Sequence, residues 1–177
     1  MQAPILTDEE FKAALDSTDK MERPACYRLM LQLSIKRGLR PMEIAGLDSS
    51  WFRGRELRIP LGHSKRKSGR TLRVDDELLA DLAAHMGDRT GRVFLNAAGL
   101  PFDARGISEA IRRVYRRAGV VGSCYSGRRT MATKMVDSGV NIAVVSKTLG
   151  HSSIATTQNY IGVTDAMMER AFIAAGL

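Results

Sequence analysis

The sequence predicts a mainly α-helical domain carrying one small antiparallel β-sheet, an α+β arrangement. Two observations support this. Most apolar residues recur at helical spacing between recognisable caps, and one main stretch, Trp51 to Val74, alternates apolar and polar residues as strands do. With 177 residues, 44% hydrophobic and 26% charged, the chain can bury a real core and has ordinary globular composition. It is expected to form a single domain over 1–177.

Taken in order, Thr7 followed by Glu10 makes a capping box that opens a helix over about 8–16. A longer helix follows over about 20–36, with Tyr27, Leu31 and Ile35 along one stripe and Gly38 as its stop. In GLRPMEIAGL, Pro41 favours the first position of a short helix and pushes Arg40 into extended geometry. Arg40 therefore stands at a helix mouth, where unpaired amides already favour an anion.

Leu57, Ile59 and Leu61 alternate, HSKRKSGR forms a polar loop, and Leu72 and Val74 alternate again, which is a hairpin. From Arg53 to Arg73 this hairpin carries eight basic residues (Arg53, Arg55, Arg58, Lys65, Arg66, Lys67, Arg70 and Arg73) and one acid, Glu56. An edge kept charged against aggregation would explain some of them. Their density reads better as contact with nucleic acid.

A helix is expected over about 75–85, a short strand over Arg92–Leu95 and another helix over about 103–118. In the last of these, Arg112, Arg113, Arg116 and Arg117 form one basic face opposite Ile107, Ile111 and Val114. No acid interleaves the four arginines, so that face would attract phosphate.

Residues 122–125 read as a loop, and Arg128 opens the next helix, with Met131, Ala132, Met135 and Val136 facing the core and Gly139 ending it. Arg128 lies one turn before Met131 and Ala132, so it points inward with them. Asn141 caps a helix of Ile142, Val145 and Leu149, closed by Gly150. Ser152 or Ser153 caps a helix carrying Tyr160, and from Asp165 a last helix presents Met168, Ala171, Phe172 and Ala175. That apolar face needs a partner surface. About eight helices surround the sheet.

Charge narrows the function. The chain has 27 Lys+Arg against 19 Asp+Glu, a net +8, which fits a polyanionic partner and nucleic acid first. Two cysteines, Cys26 and Cys124, in no metal-type spacing fit a reduced, cytoplasmic protein, and three scattered histidines argue against zinc. The opening MQAPILTDEEFKAAL lacks the basic-then-apolar order of a signal peptide, and no apolar run is long enough to span a bilayer.

The chemistry-bearing residues are Arg40, Arg128, His151 and Tyr160. Arginine forks are planar, permanently charged and bidentate, which suits the non-bridging oxygens of a phosphate. They also stabilise charge that grows as phosphorus becomes five-coordinate. A phenol at Tyr160 would be the nucleophile, His151 a hydrogen-bond donor to phosphate, and a hairpin lysine the acid for the departing 5′ oxygen. Singly, each has a plainer reading: a paired helix-end arginine, a packing tyrosine, a helix stop at Leu149–His151. Specificity lies in the set and its order.

That set resembles the catalytic domain of the tyrosine recombinase (phage integrase) family. Gly38, Leu39, Arg40, Glu43, Ile44 and Leu47 match its first box. Tyr125, Arg128, Arg129, Thr130, Ala132 and Thr133 match its second. Leu149, Gly150 and His151, followed nine residues later by Tyr160, match its third. The resemblance covers the chain from Leu6 onward. It implies that Arg40, Arg128 and His151 bind the scissile phosphate while Tyr160 attacks it, leaving a 3′-phosphotyrosine and a free 5′-hydroxyl. It implies that Lys65, or alternatively Lys67, is the hairpin lysine and that Glu43 supports Arg40.

By the same resemblance no cofactor or metal is needed, the partner is double-stranded DNA, and the last helix locks protomers into a tetramer. The source is expected to be bacterial or phage. Two departures stand out. Tyr125 replaces the usual histidine, and a phenol is a poor proton acceptor near neutral pH. The chain also begins almost where the catalytic domain would, without the family's N-terminal core-binding domain. DNA contacts are expected from Arg66, Lys67, Arg70, Arg112, Arg113, Arg116 and Arg129. The competing readings are a tyrosine-type IB topoisomerase and a weakly catalytic DNA-binding regulatory module.

Overall fold

The computed structural model describes residues 2–63 and 69–176. Among them are nine α-helices, a single 3₁₀ turn and three short strands. The helices are α1 (Asp8–Thr18), α2 (Pro24–Lys36), α3 (Pro41–Ala45), α4 (Asp76–Met86), α5 (Ala104–Arg117), α6 (Cys124–Asp137), α7 (Ile142–Leu149), α8 (Ile154–Gln158) and α9 (Asp165–Ala174). The strands β1 (Phe52–Arg53), β2 (Glu56–Ile59) and β3 (Arg70–Arg73) form one antiparallel sheet in the order β1-β2-β3.

The core is built around α2, whose Leu29, Met30, Leu31 and Leu33 are buried among α1, α4, α5 and α6. This helix starts later than periodicity alone implies. Pro24 has no amide to give and a ring that clashes with the carbonyl four residues earlier, so it serves as the first helical residue. Two glycines set how closely α2 and the turn after it approach the rest. A Cβ on Gly127 would lie 2.6 Å from Ser34 Oγ, so α6 packs tightly on α2. Gly38 has φ +60°, and a Cβ there would lie 2.8 Å from Met131 Sδ and 2.9 Å from Leu149 Cδ2. The turn into α3 thus lies directly against α6 and α7, which positions the site.

In the sheet Leu57 pairs with Leu72, and both face the core with Ile59. The expected alternation stops there: Pro60 lacks a ladder donor and Leu61 is exposed. The predicted strand over 92–95 is not formed. Val93 and Phe94 are both buried, which breaks strand alternation, and only isolated bridges Asp48–Arg92 and Leu95–Pro101 remain.

Two further boundaries differ from expectation. Helix α6 begins at Cys124, because Ser123 Oγ accepts from Tyr125 N while Ser123 N donates to Ser126 Oγ at 3.0 Å. This is a capping box with serine where Glu or Gln is usual. Arg128 is therefore in the second turn of α6, not at its mouth. Helix α8 ends at Gln158, and Tyr160 stands just beyond it in a turn closed by Tyr160 N to Thr157 O at 2.8 Å. A second, smaller core of Ala132, Val145 and Leu149 gathers Met131, Met135, Tyr160 and Ile161 around it. Among the described residues no helix is long and apolar enough to cross a membrane.

Candidate active site

The site forms around a buried carboxylate. Glu43, on α3, has no solvent exposure and receives Arg40 N at 2.8 Å, Arg40 Nη1 at 3.3 Å and Arg70 Nη2 at 2.9 Å. Arg70 Nη1 reaches the other oxygen, so the Arg70 pair is bidentate. Burial alone would raise the Glu43 pKa. The Arg70 hydrogen bond and charge, the Arg40 amide and the Arg128 charge outweigh it and hold the carboxyl below its ordinary range. The side chains of Arg40 and Arg70 keep 15% and 7% of their exposure, so they are oriented by Glu43 while Arg40 still touches the surface. Arg70, expected as a DNA contact, is thus tied to the carboxylate that also orients Arg40.

Arg128 is the largest fully buried side chain among the described residues. Nη1 donates to Gly38 O, and Nη2 lies 3.0 Å from both Leu149 O and His151 Nε2. Arg40 Nη2 donates to Gly150 O at 3.3 Å. The last carbonyls of α7, the negative end of its dipole, therefore help hold two neighbouring guanidiniums. Burial, and then the Arg40 charge, pull the Arg128 pKa down to about 10, which leaves it cationic near neutral pH. Its Nε is buried with no partner among the described residues.

The Leu-Gly-His corner works because Gly150, at φ +65°, caps α7 in the left-handed region and turns the chain so that His151 faces Arg128. His151 Nδ1 lies 2.8 Å from Thr157 Oγ1. A guanidinium can only donate, so a bond from Arg128 makes Nε2 the acceptor and Nδ1–H the donor to Thr157. Tyr160 completes the group: its ring centroid is 5.1 Å from that of His151 and 5.8 Å from Arg128 Cζ. Arg40, Arg128, His151 and Tyr160, from four separate segments, meet at one place.

The remaining expected residues are placed as follows. Tyr125 is 49% exposed on the first turn of α6 and shares with Tyr160, Ala3, Pro4 and Arg129 a cavity of about 470 Å³. Arg129 donates to the backbone carbonyls of Ala3 and Tyr160, an employment the sequence did not suggest. On α5 no acid stands among the four arginines, but Glu109, one turn earlier, pairs with Arg112, while Arg113 reaches Tyr27 Oη at 3.4 Å and Arg116 is exposed. Lys65, Arg66 and Lys67 lie outside the described residues. Thr157, which fixes the imidazole, was missed as a functional residue. A hydroxyl six residues past the histidine, on the next helix, was the available signal.

Fold and site together define a class. The chain belongs to the phage integrase family, whose profile matches residues 4–167. Among curated relatives, tyrosine recombinase XerC of Corynebacterium glutamicum is 31% identical over 157 residues, covering 81% of this chain and 48% of the relative. Transposase A from transposon Tn554 of Staphylococcus aureus is 25% identical over 195 residues, covering 97% and 52%. The chain spans about half the length of these relatives. Among solved structures, XerA recombinase superposes with a TM-score of 0.80 at 20% identity, over 97% of this chain and 62% of that one. The catalytic domain of bacteriophage HP1 integrase gives 0.73 at 24% identity, over 96% and 94%. At such identities the superpositions show a shared fold, the mainly helical domain with a small antiparallel sheet expected from the sequence.

Proposed function

We propose that this chain is a DNA strand transferase of site-specific recombination or integration, acting on double-stranded DNA through a covalent bond to Tyr160. The observation that supports it is the convergence of Arg40, Arg128, His151 and Tyr160, with the first two held as forks by Glu43 and backbone carbonyls. The forks take the non-bridging oxygens of one phosphate. The Tyr160 oxygen attacks phosphorus, the bond to the 5′ oxygen breaks, and a 3′-phosphotyrosine remains. As the Arg128 fork turns onto the phosphate it releases His151 Nε2, which takes the phenolic proton, and the imidazolium then donates to a phosphate oxygen. The departing 5′ oxygen takes its proton from Lys65 or Lys67. Attack by a 5′-hydroxyl reverses these steps on a new strand.

Assembly follows from α9. It buries none of its residues, and Met168, Phe172 and Ile173 are exposed along it. Its apolar face docks on a neighbouring protomer in a tetramer on DNA.

The test is incubation with a nicked suicide duplex, from which cleavage releases a short strand and traps the adduct. Wild-type protein gives a covalent protein–DNA species and Tyr160→Phe gives none. An adduct that persists in Tyr160→Phe, or none with wild type across varied duplexes, overturns the proposal. Strand-exchange products, as opposed to relaxed circles alone, separate recombination from topoisomerase activity.

A further inference from the structure

We infer that Arg129 is a positioning residue: it ties the chain segment bearing Tyr160 to the N-terminal segment, and acts through the main chain, not on DNA. The inference builds on the proposed role of Tyr160 and concerns how that side chain is held.

Arg129 follows Arg128 on α6 and emerges about 100° further round the helix, so the two side chains serve different places. Its Nη1 donates to Ala3 O at 2.6 Å and its Nε to Tyr160 O at 3.3 Å. One guanidinium thus joins positions at opposite ends of the sequence. The same helix makes two further ties. Thr130 Oγ1 accepts Leu6 N at 2.9 Å, and Thr133 Oγ1 accepts Gly162 N at 3.1 Å. The two segments also touch directly: a Cβ on Gly162 would lie 2.3 Å from Ile5 Cδ1, so their contact depends on the missing side chain.

Tyr160 needs such support because it stands past the end of α8. Its carbonyl is beyond the helical ladder and takes its hydrogen bond from Arg129. Tyr160 also borders the cavity whose wall includes Ala3 and Pro4. The position of the N-terminal segment is thereby transmitted to the nucleophile, and a displacement of about 1 Å in a reacting group can cost on the order of 100-fold in rate.

The experiment compares wild type, Arg129→Ala, Arg129→Lys and Ile5→Ala in three measurements: single-turnover cleavage of the nicked duplex, DNA affinity against salt, and amide hydrogen exchange over 159–163. Arg129→Ala is expected to cleave about 10- to 100-fold more slowly, with affinity and salt slope unchanged and faster exchange over 159–163. Arg129→Lys, which reaches one carbonyl, recovers part of the rate, and Ile5→Ala shows a smaller loss in the same direction. A phosphate contact would instead weaken binding and lower the salt slope by about one, and that result overturns the inference. Unchanged exchange over 159–163 also overturns it. Because exchange is read without DNA, it decides the positioning role even if wild type forms no adduct, which would count against the proposed function alone.

Discussion

At the scale of single residues, the site rests on one carboxylate serving several arginines. Glu43 is fully buried and its pKa is lowered, so its stabilisation is present above the ordinary value of 4.5 and is lost as pH falls through the lower folded value. Glu43→Gln keeps the shape and removes the charge. Breaking a buried pair on one side costs about 3–5 kcal/mol, so urea unfolding at neutral pH should show a loss of that order. The variant should also lack the part of the wild type's acid destabilisation that sets in below 4.5; parallel stability–pH curves for the two proteins would contradict the assigned role. Tyr125 is a second case. It borders the Tyr160 cavity, where an imidazole would accept a proton near neutral pH and a phenol does not. Tyr125→His should cleave faster than wild type and Tyr125→Phe slower; equal rates for all three would reduce Tyr125 to a packing residue.

At the scale of elements, the site depends on two chain reversals and one helix placed side by side. The turn after α2 carries Gly38, the end of α7 carries Gly150, and α6 passes between them with Arg128 bound to Gly38 O and Leu149 O. Gly38→Ala forces a side chain into the left-handed region and onto Met131 and Leu149. Overpacking of this kind costs about 1–3 kcal/mol, and cleavage should fall further than the stability loss explains, because a carbonyl that holds Arg128 moves. A cleavage rate that follows the folded fraction alone would contradict that link. Several of these elements were legible in the chain because each advertises itself locally: Thr7–Glu10, Pro41, Asn141 and the glycine stops. The start of α6 was not, since Ser123 and Ser126 make a weaker signal than a serine followed by glutamate. The strand over 92–95 was misread because burial of Val93 and Phe94 resembles a short strand when pairing cannot be seen.

For the whole molecule, the four site side chains could be identified from residue type and order, but what holds them could not. Arg70 closes on Glu43 across 27 positions, Arg128 on Gly38 across 90, and Arg129 on Ala3 across 126. No local pattern encodes such pairings; they arise only once tertiary packing brings the segments together. Net charge of +8 pointed to a polyanion, but the structure divides the arginines between ion pairs, carbonyl ties and exposed positions, a division invisible in composition. The central claim is that the phosphorus bonds to Tyr160, not to any other hydroxyl nearby. Tyr125 shares its cavity and is the most pointed competitor. Proteolysis of the trapped adduct and mass spectrometry of the nucleotide-bearing peptide decide between them. The account predicts a phosphodiester on the peptide containing Tyr160; a nucleotide on Tyr125, or on any other residue, would contradict it.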